Sequence, residues 1–171
     1  MSFPFYVPTR VRVAGIALLA LITVLAGCIS VNLTKEIPKS KGLRVSPPSS
    51  PFREAALAAA DQAWKSDATG STISYFSECA AAPTTPERLR DDALASLPAA
   101  KILESQTLEF DGREALRSQA EGKVEGIALR VSLLTYQKNS CRYTISYAAR
   151  SSVFSQELGR FDDFLKGFSA P

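Results

Sequence analysis

The first 34 residues of this 171-residue chain decide which part of it can fold and in which compartment. Residues 1–12 carry Arg10 and Arg12 and no acidic residue, and no charged residue occurs from Val13 to Thr34. The uncharged segment begins with the apolar run VAGIALLALITVL, which is followed by the small residues Ala26 and Gly27. A basic start, a short apolar middle and a small-residue cleavage site are typical of a secretory signal peptide. We therefore predict that residues 1–27 are removed and that 144 residues remain.

The tetrapeptide Leu25-Ala26-Gly27-Cys28 resembles the lipobox of bacterial lipoproteins. The resemblance implies that the Cys28 thiol receives diacylglycerol, that the chain is cut before Cys28, and that the new amine is acylated. Three acyl chains would make a permanent membrane anchor. In enterobacterial lipoproteins, an Asp directly after the lipidated Cys favours retention in the inner membrane. Position 29 is Ile here, so the resemblance implies that the chain is anchored in the outer membrane and faces the periplasm. The alternative is an uncleaved transmembrane helix, because about 20 apolar residues span a bilayer.

The charge of the exported chain is close to neutral. Of the net charge of +3, Arg10 and Arg12 contribute two, so the mature chain carries only +1. It has no basic stripe of the kind that binds nucleic acid, and export makes that partner unsuitable. We expect the partners to be the membrane, reached through the lipid, and an envelope protein that the sequence does not identify.

The two remaining cysteines, Cys79 and Cys141, are predicted to form a disulfide. An exported chain enters an oxidising compartment, where an even pair of cysteines is usually oxidised. Both cysteines lie in strand-like segments, FSECA and NSCRYTISY. The alternatives are two free buried thiols or, with neither a CxxC motif nor a histidine to support it, a redox site.

Composition divides the mature chain into a tether, residues 28–51, and one domain, residues 52–171. The tether holds four prolines and a basic bias from Lys35, Lys39, Lys41 and Arg44, which is typical of a semi-rigid, solvated spacer. Within it, GLRV is a candidate edge strand. Residues 52–64 are ambiguous: their alanines favour a helix capped by Ser50 and Pro51, whereas the turn-like SDATG that follows favours a hairpin.

The rest of the domain is more regular. STISYFSEC predicts a strand with Ile73, Tyr75 and Ser77 on one face. PTTPERLRDDALASLP predicts a helix that is capped by Thr85, begins at Pro86 and ends before Pro98, with Leu89, Ala93 and Leu97 on its buried side. A meander follows, with strands at 102–110, 113–120, 127–137 and 141–149 and turns at 111–112, 121–126 and 138–140.

The C-terminal segment FSQELGRFDDFLKGF predicts an amphipathic helix. Its apolar stripe consists of Phe154, Leu158, Phe161, Leu165 and Phe168. We expect this stripe to pack on the sheet, because a domain this small needs it as core; binding of a partner or lipid is the alternative.

This order of elements predicts an α+β fold in which helices cover an antiparallel sheet. It resembles the PsbP/Mog1-type α/β/α sandwich over most of residues 43–168, notably in YTISYAAR and the FxxxLxxFDDFLxGF helix that follows it. The resemblance implies a non-catalytic accessory or binding protein. No site residues can be transferred, because no matching site motif is present.

The residue types present leave little room for catalysis. The chain has no histidine, the commonest general base and metal ligand, and no phosphate-binding loop, so we expect no cofactor and no metal. Asp91-Asp92 and Asp162-Asp163 are predicted on helices, where neighbouring side chains diverge. Glu121 and Glu125 are interpreted as turn residues.

Two function hypotheses follow: a lipid-anchored accessory or binding module, which we favour, and an envelope enzyme using carboxylate or Ser/Lys chemistry. Trp64 and Tyr75 are the candidate interface residues if they are exposed; a lone Trp before a tight turn is more often a core residue.

Overall fold

A computed structural model describes residues 37–80 and 82–171; the predicted signal peptide and Cys28 lie outside them. The described residues form a seven-stranded antiparallel sheet, a separate two-stranded sheet and two helices. The large sheet has the order β2-β3-β4-β8-β7-β6-β5. Its strands are β2 Phe52–Ala55, β3 Gln62–Ser66, β4 Thr72–Cys79, β5 Lys101–Phe110, β6 Arg113–Val124, β7 Ile127–Lys138 and β8 Cys141–Arg150. The small sheet pairs β1 Arg44–Val45 with β9 Phe168–Ser169, and the helices are α1 Pro86–Leu94 and α2 Phe154–Lys166. The predicted α+β fold is confirmed.

Tight turns join the four long strands. Asp111 and Gly112 both have positive φ, 52° and 72°, as the predicted two-residue hairpin turn requires. Glu125 and Gly126 do the same at 50° and 82°, so β6 continues through Val124 and the turn is much shorter than predicted. The prediction of a turn over 121–126 was wrong for residues 121–124, which pair regularly with β7.

One face of the sheet packs against α2 and holds most of the core. Tyr143, Ile145 and Tyr147 of β8 are fully buried on this face, as their alternation predicted. Phe161 of α2 is also fully buried and stacks on Tyr147 with ring centroids 6.0 Å apart. The apolar stripe of α2 is therefore part of the core, as expected, and is not a surface for a partner or lipid. The helix is shorter than the predicted stripe, because Phe168 lies beyond it in β9.

Residues 52–66 form a hairpin rather than a helix. Phe52 of β2 pairs with Ser66 of β3, and Trp64 of β3 pairs with Ile73 of β4. The alanine-rich residues 56–60 form the loop between β2 and β3. Burial of Phe52 and Trp64 against α2 outweighs the helix propensity of the alanines between them.

The folded domain begins earlier than residue 52, inside the segment assigned to the tether. The Cys79 amide donates to the Pro38 carbonyl at 2.7 Å, and the Ser40 amide donates to Ser77 Oγ at 3.0 Å. GLRV contributes β1, which pairs with β9 as an edge strand. Lys39 remains partly exposed but is attached to the domain, since its Nζ lies 2.7 Å from Asp61 Oδ1.

The opposite face of the sheet is covered only in part, by α1. Thr85 Oγ1 accepts a hydrogen bond from the Arg88 amide and Pro86 is the first helical residue, as predicted. The helix ends at Leu94, one turn before Pro98. Thr135 Oγ1 donates to the Pro86 carbonyl at 2.8 Å, which fixes α1 over β6 and β7. The neighbouring half of this face, formed by β4 and β8, is left open beside α1.

Candidate ligand-binding groove

A groove of about 600 Å³ runs over the uncovered half of this face. Seven side chains of β4 and β8 form its floor: Ser74, Phe76, Glu78, Arg142, Thr144, Ser146 and Ala148. Strand alternation explains this set, because the intervening residues of both strands point into the α2 core. Leu89, Ala93 and Leu97 form the wall on the side of α1, and Leu57, Ala59 and Ala60 form the wall on the side of the β2–β3 loop.

The rim of the groove exposes large apolar side chains. Leu57 is 48% exposed and Val124 is 38% exposed, and both line the groove. Pockets that bind small molecules are mostly apolar with a few placed polar groups, and they have volumes of about 300–1,000 Å³. The groove fits that description in size and lining.

The polar groups of the groove are concentrated at one end. Arg142 Nη2 lies 3.3 Å from Glu78 Oε1, next to the end of β4. The Arg142 Nε–H is buried and has no acceptor among the residues that the structure describes. In the middle of the floor, Ser74 and Ser146 satisfy each other at 2.8 Å. The ion pair of Arg142 and Glu78 is therefore the charged part of the floor.

The predicted disulfide between Cys79 and Cys141 is confirmed. The two residues face each other in the register of β4 and β8, where they lie at the end of both strands. The bond therefore ties together the two strands that form the floor, one residue beyond Glu78 and Arg142.

Trp64 and Tyr75, the candidate interface residues, are core residues. Trp64 is 3% exposed and packs on Phe164 of α2 with ring centroids 5.2 Å apart. Tyr75 is 9% exposed, and burial, with a smaller effect of the Asp61 charge, raises the pKa of its phenol. The interface hypothesis required these side chains to be exposed, and both are buried, so the core role that was the alternative for Trp64 is the one the structure shows.

The two aspartate pairs lie on helices, as predicted, and each aspartate has its own basic partner. Asp91 pairs with Arg90 at 2.7 Å, Asp92 with Arg88 at 3.1 Å and Asp163 with Lys166 at 2.8 Å, and Asp162 pairs with Arg117. Within residues 37–80 and 82–171, no three acidic or cysteine side chains come together as a metal site. The pairs do not converge on a common substrate position.

One buried carboxylate, Glu157 of α2, was missed from the sequence. It accepts hydrogen bonds from Ser66 Oγ at 2.7 Å, from Thr69 Oγ1 at 2.6 Å and from Ser71 Oγ. Burial alone would raise its pKa, but these hydrogen bonds, led by Ser71, and the charge of Arg160 lower it below the ordinary value of 4.5. The sequence signal that could have predicted this site is a glutamate inside the apolar stripe of α2, together with a turn rich in Ser and Thr.

Glu157 holds the β3–β4 turn against α2 and shows no catalytic arrangement. All three of its partners are hydroxyls of residues 66–71, and its position on the α2 face separates it from the groove.

Among the described residues, neither helix is long and apolar enough to cross a bilayer.

Comparisons with known proteins identify the fold. No protein-family model matches the chain, and no curated protein is recognisably similar in sequence. LpqN, described as involved in cell envelope biogenesis of Mycobacterium tuberculosis, is similar in structure with a TM-score of 0.59 and 11% identity, over 78% of this chain and 86% of LpqN. Cyanobacterial PsbP from Synechocystis sp. PCC 6803 is similar with a TM-score of 0.54 and 12% identity, over 86% of this chain and 99% of that protein. The chain therefore has a PsbP-like α+β fold, as its element order predicted.

Proposed function

We propose that this chain is a non-catalytic binding lipoprotein of the bacterial cell envelope, which uses the groove beside α1 to capture an apolar ligand or partner segment. The observation that carries the proposal is the incomplete cover of the sheet: α1 shields β6 and β7 and leaves an apolar groove over β4 and β8. A face that served only as core would be closed. Exposed apolar patches on monomeric proteins are usually functional, so the open groove favours a binding role.

The proposed anchor is the lipid on Cys28, which holds the domain on the outer membrane facing the periplasm. Three observations support an envelope location. The sequence has a basic, apolar and small-residue leader that ends in LAGC. The Cys79–Cys141 disulfide suits an oxidising compartment. The structural neighbour LpqN is described as involved in cell envelope biogenesis.

Metabolic labelling with palmitate tests the anchor. We expect the wild-type protein to incorporate palmitate and to lose residues 1–27, whereas Cys28→Ser should stay unlabelled and keep its full length. Ser30→Ala is the matched control and should behave like wild type. An unlabelled, full-length wild-type protein would instead favour the uncleaved transmembrane helix.

Site-specific photocrosslinking in the native envelope tests the binding role. A photoreactive residue at Ser96, which is exposed and lines the groove, should yield defined products. The same residue at Gln156, which is exposed on α2, is the control and should yield few. Equal products at both positions, or products at Gln156 alone, would contradict the assignment of the groove as the binding surface.

A further inference from the structure

The N-terminal segment leaves the domain beside the polar end of the groove. The Pro38 carbonyl accepts from the Cys79 amide at 2.7 Å, and Lys39 Nζ lies 3.7 Å from the centroid of Phe76, a floor residue. From Pro38 back to Cys28 is ten residues, which span at most about 36 Å when fully extended. A lipid on Cys28 would therefore keep Pro38 within about 36 Å of the bilayer surface.

The dimensions of the groove suit a hydrocarbon chain. Its floor runs along β8 from Arg142 to Ala148, six residue steps that extend about 20 Å. Leu89, Leu97 and Val131 line it away from the polar end. Each methylene buried there gains about 0.8 kcal/mol, so an apolar chain along this path is favoured over water.

The charges of the lining distinguish among amphiphiles. Arg142 is the one basic residue of the lining, and its side chain is 24% exposed, so its charge is accessible to a phosphate or ester oxygen at this end of the groove. Glu78 and Asp92 are the two acidic residues of the lining, and each already has an arginine partner. At the Glu78–Arg142 end, the phosphate of a zwitterionic head group would face Arg142 and its ammonium would face Glu78, whereas a purely anionic head group would bring no cation to Glu78.

We infer that the groove binds an acyl chain of a zwitterionic membrane phospholipid, with the head group at the Glu78–Arg142 end. The inference rests on the proposed function, because it requires the domain to be held at a membrane. It names the ligand of the groove: a lipid of the surrounding bilayer, rather than a protein segment or the acyl chains on Cys28.

The experiment uses the lipidated full-length mature protein reconstituted in phosphatidylethanolamine vesicles that contain a trace of photoreactive diacyl phosphatidylethanolamine. After illumination, mass spectrometry locates the labelled peptides. We expect label on α1 and β8 and not on α2. Ala148→Phe, which fills the floor, should reduce this label about tenfold, equivalent to about 1.4 kcal/mol. Ala95→Phe is the matched control, since Ala95 is exposed and lies outside the lining, and it should leave the label unchanged.

Two further arms separate the alternatives. Photoreactive phosphatidylglycerol at the same concentration should label the groove several-fold less than the zwitterionic lipid, and equal labelling would overturn the charge argument. Arg142→Gln removes the charge, so it should lower the label with phosphatidylethanolamine; an unchanged label would remove Arg142 from the site.

Vesicle flotation separates failure of the inference from failure of the proposed function. Protein that floats with vesicles but carries no label in the groove overturns the lipid assignment and points to a protein segment or to the acyl chains on Cys28. Label spread equally over α1 and α2 also overturns it, as surface adsorption. Protein that does not float overturns the anchor itself.

Discussion

Replacing Glu157 with Gln tests how the β3–β4 turn is held on α2. The carboxylate accepts three hydroxyl hydrogen bonds, from Ser66, Thr69 and Ser71, in a site where Glu157 is 7% exposed. Hydrogen bonds to a charged group contribute about 1.5–3 kcal/mol each, and the cost of desolvating a carboxylate offsets much of their sum. Because Gln keeps one acceptor, we expect a loss of about 2–4 kcal/mol in the free energy of unfolding near pH 7.

The loss should depend on pH in a direction that the lowered pKa of Glu157 fixes. A carboxyl whose pKa is lower in the folded state stabilises the protein above its ordinary value of 4.5, and this stabilisation is lost as the pH falls through the folded-state pKa. The difference between wild type and Glu157→Gln should therefore be largest near neutrality and shrink in acid.

Urea denaturation of the oxidised protein at a series of pH values measures both effects. Glu114→Gln is the control, because Glu114 is an exposed residue of β6. A Glu157→Gln variant that loses less than about 0.5 kcal/mol near pH 7, the ordinary effect of a surface substitution, would refute the role given to the three hydroxyls. A large loss that stays constant into acid would show that shape, rather than charge, holds the turn.

Three other changes have expected outcomes in the same denaturation assay. Phe161→Ala should cost about 3–5 kcal/mol, because the ring is fully buried on the sheet; an unchanged transition would mean that α2 is not core. Replacing Cys79 and Cys141 together by Ala should cost about 4 kcal/mol, as expected for a bond that closes a separation of 62 residues, and thiol labelling of the unreduced, unfolded wild type should find neither cysteine free. Gly122→Ala should cost about 1–3 kcal/mol, because its Cβ would lie 2.6 Å from Leu97 Cγ, whereas Gly159→Ala, with open space around it, should be neutral or stabilising.

The sequence was most informative where one local rule had no competitor. The dipeptide Asp111-Gly112 strongly favours a two-residue hairpin turn, which the structure has. Alternation along β8 correctly placed Tyr143, Ile145 and Tyr147 together on the buried face. It was least informative at residues 52–64, where alanines favour a helix and the flanking Phe52 and Trp64 favour strands. Tertiary burial decided that case, and local propensity carries no information about it.

The groove could not be predicted from the sequence, because it depends on where α1 lies across the sheet. The pattern of Leu89, Ala93 and Leu97 shows that α1 buries one side, but it does not say over which strands. Two long-range contacts place the helix over β6 and β7: Thr135 Oγ1 donates to the Pro86 carbonyl, and Leu94 packs against Ala120 and Leu133. The open half of the face is the consequence of that placement.

The two faces of the sheet thus have different physical roles. On the α2 face, aromatic rings fill the space between sheet and helix. The one buried carboxylate described on this face, Glu157, is hydrogen-bonded to the β3–β4 turn. On the α1 face, the middle of the floor carries two short hydroxyl side chains, Ser74 and Ser146, that fill little space and satisfy each other. Larger apolar residues at these positions would close the groove and bury more surface, so the small polar floor costs stability that a closed core would gain. A chain that gives up this stability on one face, while packing the other face fully, is best explained by a ligand that completes the open face when it binds.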